Sequence, residues 1–290
     1  MVKTMYSQKK GMDIYKIIIC LQSLNILLLL FIIYILMMKV CSNNKLDGFG
    51  SVYICCLCCL ATCRQNGYVY RHKHFNDLPG MWLQHNPTKS NEYNFILNDF
   101  TGLISDASDN LTIEAHYGVG GGVQGGFPIK DTNEYFNETM LSEIRKMYYS
   151  TWKPKPIPCD VAIHIRRGDI ARNPKIINGE KIYVSERAIS IEYFKRKIIE
   201  LQSKSTAPLK FIIFSEETVE DFKEILIDGC NITFYLNTEL RETFHSMVKA
   251  PILVLSPSMM SIASALLNTG EIHYYKWKSF NKLNHWNEDI

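Results

Sequence analysis

The strongest constraint on the fold lies between residues 159 and 267, where short apolar runs alternate with amphipathic segments. Val161-Ala-Ile-His-Ile165, Phe211-Ile-Ile-Phe214, Ile232 to Leu236 and Ile252-Leu-Val-Leu255 read as strands. Ser190 can cap a helix with Ile191, Phe194, Ile198 and Leu201 on one face. Further helices are predicted around Thr218 to Ile227, Leu240 to Lys249 and Met259 to Leu267. Alternating strands and helices of this kind imply a parallel α/β sheet. Ligands bind such sheets at the carboxyl ends of the strands, so the chemistry is to be sought there.

Upstream the pattern is weaker. Glu138 to Tyr149 reads as a helix with Leu141, Ile144 and Tyr148 on one face. Lys153-Pro-Lys-Pro-Ile-Pro158 then stops all periodicity and reads as an extended linker. That places a domain boundary between an amino-terminal half, residues 39–158, and a carboxyl-terminal half, residues 159–290.

The amino terminus carries a different signal. Ile17 to Met38 has no charged residue and is mostly Ile, Leu, Phe and Met. At about 1.5 Å per residue such a helix crosses a hydrocarbon core of roughly 30 Å. A buried core helix and a signal-peptide core are the alternatives, but no small-residue cleavage site follows. Residues 17–38 are therefore expected to be one membrane anchor behind a cytosolic tail, residues 1–16. Lys3, Lys9, Lys10 and Lys16 precede it while Lys39 and Lys45 follow, which sends the body to the lumen of a Golgi or other secretory membrane as a type II protein. Sequons at Asn110, Asn137 and Asn231 fit a lumenal body but arise often by chance.

A second apolar concentration, Val52 to Cys63, holds cysteines at 55, 56, 58, 59 and 63. It is too short to span a bilayer. Zinc binding with His72 and His74 would need a different cysteine spacing. The expected form is a buried helix with Val52, Cys56, Cys59, Leu60 and Cys63 near one face; a disulfide and lipidation remain open. Over the whole chain, 32 basic against 29 acidic residues give a net charge of only +3, too close to neutral for a nucleic-acid partner.

The first strand ends in His164-Ile-Arg-Arg-Gly-Asp169. A guanidinium is a permanently charged fork that binds phosphate oxygens in pairs, and a departing diphosphate needs such donors in place. Spacing alone allows an anion-binding loop or a structural Arg–Asp network.

The hexapeptide resembles the H-x-R-R-x-D motif shared by α1,2-, α1,6- and protein O-fucosyltransferases. Other segments resemble that superfamily in the same order: Asp47-Gly-Phe-Gly50, Ser185 to Tyr193, Phe214-Ser-Glu216, Thr243-Phe-His-Ser-Met247 and Val254-Leu-Ser-Pro-Ser258. The resemblance spans roughly residues 46–277. It implies a GT-B fold with two Rossmann-like halves. It also implies inverting transfer of fucose from GDP-fucose, without an obligatory metal, to a glycan hydroxyl, most like the α1,2 type. Arg166 would then grip the β-phosphate and stabilise departing GDP, with Arg167 in support and His164 beside the nucleotide. Asp169 would orient the arginine loop, Ser258 would bind phosphate at a helix amino terminus, and His245 would approach the guanine and ribose. The chain departs from the pattern at Thr243, where an acidic residue is usual, and at Met259 and Met260, where polar residues are usual. A catalytically silent relative that binds nucleotide-sugar or glycan, and a GT-B transferase with another donor, are the alternatives.

Weaker signals remain. Gly120, Gly122 and Gly125 form a G-x-G-x-x-G without a helix after it, which reads as a surface loop. Asp77, Asp99, Asp106, Glu114 and Glu216 are the acidic candidates for a general base.

Overall fold

The computed structural model describes residues 20–29, 40–42, 48–67, 69–70, 113–114, 131–170, 175–177, 180–182, 185–277 and 280–289. The chain forms two compact units, Met1–Val40 and Cys41–Ile290. In the first, residues 20–29 are helical, and Leu21, Leu24 and Ile26 to Leu29 are exposed. Among the described residues no helix is long and apolar enough to cross a membrane. The rest of the expected anchor, with the tail, lies outside the described residues.

Among the described residues the second unit contains two sheets and a hairpin. A small sheet has the order β2-β1-β3, formed by β1 (Val40–Ser42), β2 (Val69–Tyr70) and β3 (Ile113–Glu114). Helix α1 (Phe49–Asn66) carries the cysteines, and α2 (Glu138–Tyr149) follows. The main sheet holds β4 (Val161–His164), β7 (Lys210–Ser215), β8 (Asn231–Leu236), β9 (Ile252–Val254), β10 (Glu271–Tyr275) and β11 (Asn287–Asp289). An antiparallel hairpin, β5 (Lys175–Ile177) and β6 (Glu180–Ile182), precedes α3 (Ile191–Lys204). Helices α4 (Leu240–Lys249) and α5 (Met259–Leu267) complete the unit.

Strand order in the main sheet is β11-β10-β9-β4-β7-β8, with every pair parallel. The first strand in the chain is thus central. The next two extend the sheet on one side and the last three on the other, the doubly wound order in which a crevice opens between the first and fourth strands. Here that switch point lies between β4 and β9.

Period-two alternation divides the core. Val161, Ile163 and Ile165 pack with Phe194, Ile198 and Leu201 of α3. Ala162 lies on the opposite face with Phe244 and Met247 of α4 and Ile262 and Leu266 of α5. Each such buried side chain contributes on the order of 1.5–3 kcal/mol of transfer free energy. Helix α1 joins this second face, so it is buried almost all round from Phe49 to Cys63 rather than along one stripe. Its first turn packs against the start of α5 with no room for a side chain: a Cβ on Gly50 would collide with the Met260 backbone N. Cys63 is disulfide-bonded, whereas Cys55, Cys56, Cys58 and Cys59 are buried and outside any disulfide. No group able to hold a metal occurs among the described residues, and His72 and His74 lie outside them.

Two expectations change. The segment after β7 is a 3₁₀ helix, Val219–Ile225, rather than an α-helix. Its buried residues, Phe222 and Ile225, are three apart and eclipse in a three-residue period. Ser190 occupies the cap position of α3 but makes no side-chain cap bond. The stretch 152–159 has neither helix nor strand, and the buried Ile157 donates its N–H to Ser246 Oγ of α4 (2.9 Å).

Strand β11 is held to α3 by polar groups. Asp289 accepts from Tyr193 Oη and Lys197 Nζ, each at 2.7 Å. Burial alone would raise this carboxyl, but His273, Lys197 and Tyr193 outweigh it and hold it down at about 2. A carboxyl depressed by folding stabilises fully above its unfolded value, near about 4, and that contribution fades as pH falls through the folded one. Asp289→Asn is therefore expected to lower the urea midpoint at neutral pH and to flatten its fall in acid. Gly50→Ala should cost on the order of 1–3 kcal/mol in the same denaturation measurement, because α1 and α5 must separate.

Candidate functional site

A cleft of about 250 Å³ opens at the carboxyl ends of β4, β7 and β8. His164, Arg166 and Arg167 line one wall. Glu216, Tyr235, Thr238 and Thr243 line others, and Met260 of α5 closes it. The sheet explains why these residues meet. His164 is the last residue of β4, paired in register with Phe214. The alternation that puts Ala162 on the α5 face puts His164 there too. Its Nδ1 lies 2.5 Å from Ser261 Oγ and 3.2 Å from Ser256 Oγ. Burial, with Arg166 adding to it, holds this imidazole down at about 3, so it is neutral at physiological pH.

Beyond β4 the chain turns sharply. Arg166 donates its backbone N–H to Ser256 Oγ (3.0 Å), which ties the arginine loop to the turn after β9. Arg167 is almost fully buried. It donates from Nη1 to Arg166 O (2.9 Å) and from Nη2 to Ile189 O (3.1 Å). The rigid guanidinium fork thus shapes the loop that displays Arg166. Gly168 follows with φ +67, in the left-handed region, and a Cβ there would collide with the Glu216 carboxylate. Asp169 lies in the 3₁₀ turn Gly168–Ile170.

The rim is laced by hydrogen bonds between strand ends. Ser215 Oγ donates to Ile165 O (2.7 Å), and Asn237 Nδ2 to Glu217 O (2.8 Å). Glu217 (φ 90) and Asn237 (φ 54) are the non-glycine residues with positive φ among the described residues. Both stand at this edge, where backbone strain commonly accompanies function. Thr238 and Thr243 join their hydroxyls at 2.8 Å.

The remaining named residues take separate places. Ser258 is buried and is the N-cap of α5, with no side-chain cap bond to the helix. That helix has no acidic residue in its first turn, so its positive end is not offset locally. His245 is turned to α2: its Nδ1 lies 2.7 Å from Tyr148 Oη, and the rings stack at 5.8 Å. Burial first, then Lys153 and Lys249, lower His245 to about 4. The structure brings His164, Arg166 and Arg167 together at the cleft, while His245 belongs to the packing between α2 and α4. Of the acidic candidates, Glu216 lines the cleft. Asp77, Asp99 and Asp106, like the Gly118–Gly126 loop, lie outside the described residues.

Ser256 and Ser261 were not singled out by sequence reasoning. The signal was present as serines spaced around Ser258, but only the fold shows that both meet His164. Gly168→Ala is expected to cost roughly 1–2 kcal/mol through left-handed strain and to displace Glu216, as read by thermal denaturation and a crystal structure of the variant.

No family model matches the sequence, and no curated protein matches it. Among solved structures the chain is similar to E. coli heptosyltransferase WaaC with ADP, at 12% identity over 87% of this chain and 92% of that one, TM-score 0.45. It is also similar to fucosyltransferase NodZ from Bradyrhizobium, at 8% identity over 80% and 94%, TM-score 0.36. A third is POFUT1 in complex with GDP, at 14% identity over 70% and 62%, TM-score 0.31. These likenesses are distant, and the chemistry has to be read from this chain's own residues.

Proposed function

We propose that this chain is an inverting glycosyltransferase that moves L-fucose from GDP-fucose to a glycan hydroxyl, of the α1,2 type. The observation that carries the reading is the placement of His164-Ile-Arg-Arg-Gly-Asp169 at the carboxyl end of a central parallel strand, beside the switch point, with His164 and Arg166 lining a cleft. Nucleotide phosphates suit that position because helix N–H groups and fixed cations converge on it. The H-x-R-R-x-D resemblance supplies the identity of the nucleotide sugar.

Arg166 offsets charge on the departing diphosphate as the acceptor oxygen attacks the sugar C1 from the opposite face. Stabilising that charge is the main source of acceleration. Arg167 acts through the loop it holds. An acidic residue or the diphosphate takes the acceptor proton; Glu216 is the acid lining the cleft. Ser258 adds the amino end of α5. The apolar run at residues 17–38 anchors the body to a secretory-pathway membrane as a type II protein. A disulfide at Cys63 suits the oxidising lumen.

A second reading is a silent module that binds nucleotide-sugar or glycan. Met260 in the wall of the cleft favours it, because a thioether offers a phosphate or ribose no strong hydrogen bond. One assay separates the two: the protein incubated with GDP-fucose, other nucleotide sugars and a glycan panel, with nucleotide release and product measured. Transfer from GDP-fucose is the expected result; tight GDP binding without turnover would support the silent module. Arg166→Ala should lower turnover about 10²- to 10³-fold, and His164→Ala should be milder. Turnover unchanged in Arg166→Ala, or the reverse order in steady-state kinetics, would overturn the assigned roles.

A further inference from the structure

We infer that Ser256 and Ser261 are positioning residues that lock His164 as the neutral tautomer protonated on Nε2, a hydrogen-bond donor turned toward the diphosphate. The inference rests on the donor-site reading and adds two residues and a protonation state to it.

Three observations lead there. First, both hydroxyls converge on one ring nitrogen, Nδ1, from 2.5 and 3.2 Å, and both serines are buried. Second, Ser256 Oγ already accepts the Arg166 N–H. Its own proton is then free to donate, and a hydroxyl that accepts a hydrogen bond is polarised into a better donor. An Nδ1 that accepts leaves the ring proton on Nε2. Third, His164 lines the cleft, and among the described residues its Nε2 makes no hydrogen bond. A lone pair on that edge would repel phosphate oxygens, whereas an N–H attracts them.

Burial and the neighbouring Arg166 keep the ring uncharged, so the edge serves as a neutral donor beside a permanent cation. The same Ser256 oxygen orients the ring and the arginine backbone, so the two contacts to an anion are set as a unit. Ser261 comes from α5, whose amino end also carries Ser258. One helix therefore sets both the ring and the phosphate-facing backbone.

The test uses the full chain in detergent micelles with ¹⁵N-labelled histidine, the His164 signals being assigned by their loss in His164→Gln. Two-bond couplings between ring nitrogens and carbon-bound protons report the tautomer without any nucleotide present. The wild type is expected to show Nε2 protonated and Nδ1 accepting. Ser261→Ala and Ser261→Cys should both shift the ring toward a mixture of tautomers and weaken GDP binding about three- to tenfold by calorimetry, the effect of one lost hydrogen bond. Cysteine keeps most of the volume, so a purely structural role would be rescued by it, with the tautomer and GDP affinity of the wild type; that result would overturn the inference. So would a proton found on Nδ1. A wild type that shows the expected tautomer yet binds no GDP would uphold the serine lock and overturn the donor-site reading.

Discussion

Parallel pairing of β4 with both β7 and β9 is the constraint on which the rest of the second unit depends. A strand buried on both sides and both faces cannot shift register by one residue without exchanging its two faces. Val161, Ile163 and Ile165 on the α3 face and Ala162 on the α5 face therefore fix where His164 must point. Because β4 is also the first strand of a doubly wound order, its carboxyl end is the place where the chain diverges to opposite sides. The same pairing that secures the core brings the ends of β4 and β7 together at the cleft.

Several polar groups around the cleft hold its backbone in place. Arg167 is spent on two backbone carbonyls, Ser215 on the end of β4, and Ser256 on the Arg166 backbone and the His164 ring. A buried arginine that donates to two carbonyls holds the shape of its loop. Two adjacent arginines of identical chemistry both line the cleft, and one of them, Arg167, also holds the loop through backbone carbonyls.

Much of this was legible in the chain itself. The apolar runs at 161–165, 211–214, 232–236 and 252–255 became β4, β7, β8 and β9, and the helices at 138–149, 240–249 and 259–267 have the expected bounds. Strands β10 and β11 escaped notice because Glu271 to Tyr275 mixes charge, His and Tyr, and Asn287 to Asp289 has no apolar residue at all. Polar groups, not hydrophobic pattern, hold β11: Asp289 is bound by Tyr193 and Lys197 of α3. The Cys-rich helix was expected to have one buried face, but its burial all round depends on neighbours that a local period does not reveal.

The sequence alone determined the α/β class, the position of the arginine loop at a strand end, and the apolar run at residues 17–38, since each follows from local pattern and a short-range motif. Tertiary structure decided the rest of the site. The motif resemblance would bring His245 to the nucleotide, yet helix α4 turns it onto Tyr148. Ser256 and Ser261 are more than 90 residues from His164 and meet it because β9 pairs beside β4 and α5 begins at their shared edge. Contacts of that range arise from the order of strands in a sheet, and strand order is not written in the period of any one segment.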